Sequence, residues 1–92
     1  MMYPLITLPD ETNIVHSHLK TENGRLIVDV HFERPIDNGF ESARCRLPTY
    51  EWIMRDGYLD EEIKKFEVLL SNFAHLIYKY AETGGIPVAK AV

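Results

Sequence analysis

His16 and His18 stand one residue apart, and Asp29 and His31 repeat that spacing further along the chain. On a β-strand such a pair lies on one side, about 6.5–7 Å apart. Zinc accepts imidazole and carboxylate ligands and keeps a position open for water at catalytic sites. His16, His18, Asp29 and His31 on neighbouring strands are therefore a candidate zinc set, and the chemistry would be attack of a metal-activated water on a polar bond. Against it, a flat sheet spreads its side chains outward, and no outer set of groups that would orient the imidazoles is identifiable. A solvated strand face carrying histidines, with no cofactor, is the simpler expectation.

Arg44, Arg46 and Lys20, joined by Arg25, form a second set that could meet phosphate or another anion. His16 opposite His31, with Arg46 next to it, would make that surface pH-sensitive as imidazoles protonate below about pH 6.5. Sheets that bind RNA offer aromatic platforms, whereas only Phe40 stands at a strand end here. The 92-residue chain carries 10 Lys+Arg against 14 Asp+Glu, a formal charge of −4 that gives no overall attraction to nucleic acid or anionic lipid. Arg44 paired with Glu33, and Arg46 in solvent, is the structural alternative. Enzymatic signatures are otherwise absent: there is no Gly-rich phosphate loop, no Ser or Cys elbow and no Cys-pair zinc spacing. Asp60-Glu61-Glu62 is explained by a helix N-terminus. His75 is expected on the outer, solvated face of that helix. Cys45 falls on the core side of its strand, and a buried inert thiol is expected. A lone cysteine makes no intrachain disulfide, which suits a reducing, cytoplasmic home.

The elements that position these residues are marked by two Asn-Gly dipeptides, Asn23-Gly24 and Asn38-Gly39, each fit for a two-residue type I′ hairpin turn. Counting outward from the first pairs Glu22 with Arg25, His18 with Asp29, His16 with His31 and Val15 with Phe32. Counting from the second pairs Phe32 with Cys45, Val30 with Leu47, His31 with Arg46 and Glu33 with Arg44. Pro35 is expected to end regular pairing, so this register could slip by two, which keeps every residue on its face. One face then holds Val15, Leu19, Leu26, Val28, Val30, Phe32, Cys45 and Leu47. The other holds His16, His18, Lys20, Ile27, Asp29, His31, Glu33, Arg44 and Arg46, with Ile14 and Leu5 beside them. A further strand is expected over Tyr3 to Leu8.

Beyond Pro48 the period changes. Thr49 reads as the N-cap of a short helix ended by Gly57, and Asp60 as the N-cap of a long one running from Glu61 to Thr83. Its stripe is Ile63, Phe66, Leu69, Leu70, Phe73, Leu76, Ile77 and Tyr80, with Gly84-Gly85 as the stop.

The expected fold is a two-layer α+β domain over 1–85: an antiparallel meander of three to four strands, then one short and one long amphipathic helix packed on one sheet face. Residues 86–92 are expected to be a tail, frayed or docked on a neighbour. No apolar run reaches a membrane span, and residues 1–20 lack the pattern of a secretory leader. The expected function is a small non-catalytic binding or interaction domain, self-associating or docking a protein through the helix-free face or an aromatic corner. The candidate interface residues are Ile14, Ile27, Arg44, Arg46, Trp52 and Tyr58, of which Trp52 and Tyr58, with Tyr50, could instead plug the sheet end. The alternatives are the zinc-type domain or hydrolase and the anion or nucleic-acid binder.

Overall fold

Asn23 and Gly24 adopt φ of 52° and 77°, the left-handed pair that a type I′ turn requires, and set Glu22 opposite Arg25 as expected. From this hairpin the computed structural model, which describes residues 2–83, builds six strands and one helix. These are β1 (Tyr3–Thr7), β2 (Asn13–His16), β3 (Lys20–Glu22), β4 (Arg25–Ile36), β5 (Gly39–Leu47), β6 (Glu51–Asp56) and α1 (Asp60–Thr83). The sheet is antiparallel in the order β1-β2-β4-β5-β6, and β3 lies beside the first part of β4.

The second hairpin is closed by Asp37-Asn38, with Ile36 opposite Gly39. That is the two-residue slip: Val30 faces Cys45, Val28 faces Leu47 and His31 faces Arg44, while Glu33 meets Ser42. Faces are conserved because side chains alternate with a period of two. Pro35 does not end the ladder, which continues through Pro35 opposite Phe40 to the turn.

Two departures reshape the molecule. The first is a break at residues 17–19. Ser17 N–H donates to the Asp29 carbonyl at 2.9 Å, and Asp29 N–H donates to Ser17 Oγ at 3.0 Å, so a side chain replaces one rung of the ladder. Past the break, Ile14 faces Phe32, Val15 faces His31 and His16 faces Val30, one residue out of step with β3. A slip of one exchanges faces. Ile14 and His16 therefore point under the helix, fully buried, and Val15 points to the opposite side.

The second is that the short helix expected after Thr49 is strand β6. The chain reverses through a cis Leu47-Pro48 peptide and Tyr50, whose φ is 58°. Trp52 and Ile53 suit a pleated surface, and β5 has an edge whose backbone groups a helix would leave unpaired. Pairing runs Arg46–Glu51, Cys45–Trp52, Arg44–Met54, with Ile53 bulged between. Among the described residues the fold is thus six antiparallel strands followed by a single helix; the meander of three to four strands with two helices is corrected.

Helix α1 covers one face. Leu59 N–H donates to Glu62 Oε1 at 3.1 Å, and Ile63 N–H donates to Leu59 O at 3.0 Å, so Leu59 rather than Asp60 caps the helix. The buried stripe is Ile63, Phe66, Leu70, Ile77 and Ala81, and Phe73 turns out to be 41% exposed. The stripe closes on Ile14, Val28, Val30, Phe32, Ala43, Cys45 and Leu47. Phe66 stacks on Phe32 with ring centres 4.3 Å apart, and Tyr58 meets Phe66 edge-on at 5.0 Å. Leu26 does not join this core and is 56% exposed. The expected stop at Gly84-Gly85 and the tail at 86–92 lie outside the described residues. Among the described residues, no helix is long and apolar enough to cross a membrane.

Candidate functional site

Residues directly opposite on paired strands share a face, as do residues two apart along a strand. This places three cross-strand rows on the side away from α1. One row is Asp29, Arg46 and Glu51; the next is Pro4, Val15, His31, Arg44 and Met54; the third is Thr7, Asn13, Glu33, Ser42 and Asp56. Ile27 and Lys20 sit at one end and Pro35 and Phe40 at the other.

The first row is satisfied around Asp29, while Glu51 forms no ion pair among the described residues. Asp29 is buried, and its carboxylate accepts from Lys20 Nζ at 3.0 Å and from Arg46 Nε at 2.9 Å. Arg46 Nη1 also reaches Glu22 Oε2 at 3.1 Å. Burial pushes the Asp29 carboxyl up, but the hydrogen bonds and charges of Arg46 and Lys20 more than reverse that and hold it below the usual range. Ile27 lies buried beside this cluster, flanking a polar hollow of about 370 Å³ rimmed by Glu22, Arg25, Arg46 and Glu51.

The second row is not satisfied. Arg44 makes no ion pair among the described residues, and its Nε is buried without a hydrogen-bond partner. Beside it, burial and then the Arg44 charge push His31 below the ordinary histidine value, against the pull of Asp29 and Glu33. Glu33 and Asp56, one row away, also form no ion pair among the described residues. The centre of this face therefore presents an unmatched cation beside unmatched carboxylates, with Val15 half-buried and Met54 38% exposed in the Arg44 row.

The expected zinc set is divided by the one-residue slip. Asp29 and His31 remain on the helix-free face, whereas His16 is buried beneath the helix with Nδ1 2.9 Å from the Ser17 carbonyl and Nε2 unpartnered. His18 leaves the sheet and lies with Nε2 2.7 Å from the Tyr3 hydroxyl. Among the described residues, no group of three His, Cys, Asp or Glu side chains is placed to hold a metal ion. The interface candidates divide too. Arg44 and Arg46 stand on the helix-free face and Ile27 under its polar rim, while Ile14 belongs to the core. Tyr58 is buried against Phe66, and Trp52 packs near Phe32 while its Nε1 donates to Glu67 at 2.9 Å, so both plug the sheet end. Cys45 is buried, and burial pushes its thiol up to about 12, as an inert core sulfur requires.

Arg34 escapes the sequence reading. It donates to Glu41 at 2.7 Å, Asp10 at 2.9 Å and Glu62 at 2.6 Å, and its guanidinium lies 4.9 Å from the Tyr58 ring centre. The signal was available: Arg34 continues the apolar positions Val28, Val30 and Phe32, so a charge had to be placed on the helix side. It ties β4, β5 and the β1–β2 loop to the first turn of α1, a structural role.

Comparison with protein-family models, curated proteins and solved structures finds no match.

Proposed function

We propose that this chain is a non-catalytic interaction module that receives a protein surface on its helix-free sheet face. The observation that carries the reading is Arg44. It occupies the middle of that face with a buried, partnerless Nε, although Arg34, Arg46 and Arg55 each hold a carboxylate. A buried unmet donor of this kind costs about 1–3 kcal/mol, and a carboxylate docked on the rest of the guanidinium would give this charge the partner that it lacks among the described residues. Antiparallel sheets tolerate one wet face, so exposure alone argues nothing. The unmatched charges beside exposed Met54 and Phe40 do, since aromatic, Met and Arg side chains are enriched at interfaces.

Quantitative mass spectrometry of material co-purifying with tagged chain tests this. Met54→Glu, on the helix-free face, is expected to lose the bound protein, and Val68→Glu, on the helix exterior, to retain it. Equal recovery with both variants contradicts the proposal.

A further inference from the structure

We infer that the protein surface this face takes is a second copy of the same chain, related by a two-fold axis that sets Arg44 of each copy against Glu33 and Asp56 of the other. This rests on the preceding reading of the face and names its partner.

The unmatched groups are of both signs: Arg44 stands in one row, Glu33 with Asp56 in the next, and Glu51 in the row on the other side of Arg44. Rows two residues apart along a strand are about 7 Å apart. A two-fold axis lying in the interface, parallel to both sheets and running along the line between the Arg44 row and the Glu33 row, lays each cationic position on the partner's acidic row. A polyanion would meet Glu33, Glu51 and Asp56 on this face, and a basic partner would meet Arg44 and Arg25. A surface with the same mixed pattern satisfies both sets, and the same surface on both subunits is what a closed two-fold contact uses.

An edge strand with open backbone groups is the competing route to self-association, and proteins blunt it with proline, bulges and charge. Strand β1 carries Pro4 and a register shift at Leu5. Strand β6 carries the Ile53 bulge flanked by Glu51, Arg55 and Asp56. The outer edges of β1 and β6 are thus protected against pairing and the free edge of β3 is only three residues long, so the sheet face is left.

Five strands about 4.8 Å apart, crossed by the nine residues of β5 at about 3.3 Å each, give a face of roughly 20 by 30 Å. That approaches the roughly 800 Å² per partner of a standard interface, once side-chain relief is added to the flat outline.

The test is a charge exchange read by native mass spectrometry, from low-micromolar to near-millimolar chain, with circular dichroism confirming that each variant is folded. Wild type is expected to dimerise. Arg44→Glu alone, and Glu33→Arg with Asp56→Arg alone, are each expected to lose the dimer because both contacts of the symmetric pair become like-charged. Mixed one to one, the two variants are expected to form a heterodimer, since one contact is inverted and the other is the natural one. A wild-type dimer with no heterodimer in the mixture overturns the register. A wild-type monomer at every concentration overturns the second copy as partner. If Met54→Glu still releases co-purifying protein in that case, the face is used by a different chain, and only the present inference fails.

Discussion

Asp29 is the acidic side chain that the helix-free face encloses most closely, and two cations hold it there. Lys20 and Arg46 keep 48% and 25% of their side-chain surface in water, so the cluster is screened on one side only. Breaking a fully buried ion pair costs about 3–5 kcal/mol, and exposed pairs contribute about 0–1 kcal/mol. Asp29→Asn is accordingly expected to lower unfolding free energy by about 2 kcal/mol at neutral pH, measured by urea denaturation. The pH dependence follows from the direction of the shift. The carboxyl is held below its unfolded value of about 3.9, so its contribution is complete above that pH and is lost as pH falls through the lower folded value. Wild type and Asp29→Asn should therefore converge in stability in strong acid. A constant gap across the acid range would show that Asp29 acts through packing rather than charge.

At the scale of elements, what was legible depended on whether a local signal and the alternation agreed. Around Asn23-Gly24 they agree, and the β3–β4 pairing is as counted. In β4 and β5 the alternation survived a misplaced turn because a slip of two preserves faces. The break at residues 17–19 was not legible, since it depends on Ser17 Oγ accepting a backbone hydrogen bond from another strand. That single residue of slip moved Ile14 and His16 to the core and divided the histidine set. Strand β6 was hidden differently. Thr49, Glu51 and Gly57 are helix punctuation, and the bulge at Ile53 removes the period-two pattern that would have opposed them. Gly57 ends β6 for a reason of its own. Its φ is 95°, and a Cβ there would stand 2.7 Å from Glu41 Cγ, on a side chain held by Arg34. Gly57→Ala is expected to destabilise by more than about 1 kcal/mol, because neither the backbone angle nor Glu41 can yield without loss. A melting temperature equal to that of wild type would contradict this.

At the scale of the molecule, helix α1 gives the sheet two surfaces of different character. One is sealed by the stripe from Ile63 to Ala81, with Arg34 and its three carboxylates fastening the helix start. The other is satisfied around Asp29 and unsatisfied around Arg44. Apolar surface also appears where β1 meets α1, as a groove of about 180 Å³ lined by Leu5, Ile6, Phe73, Leu76 and Tyr80. The proposed partner face lies on the opposite side of the sheet from that groove, so the two surfaces give different answers in one experiment. The most direct measurement is an NMR dilution series on the untagged chain, following the Arg44 Nε–H, the Met54 methyl, the Val68 methyls and the Phe73 ring. The account predicts that the Arg44 and Met54 signals shift together as concentration falls, while those of Val68 and Phe73 stay fixed. Shifts confined to Phe73, or no shift at any concentration, would contradict it.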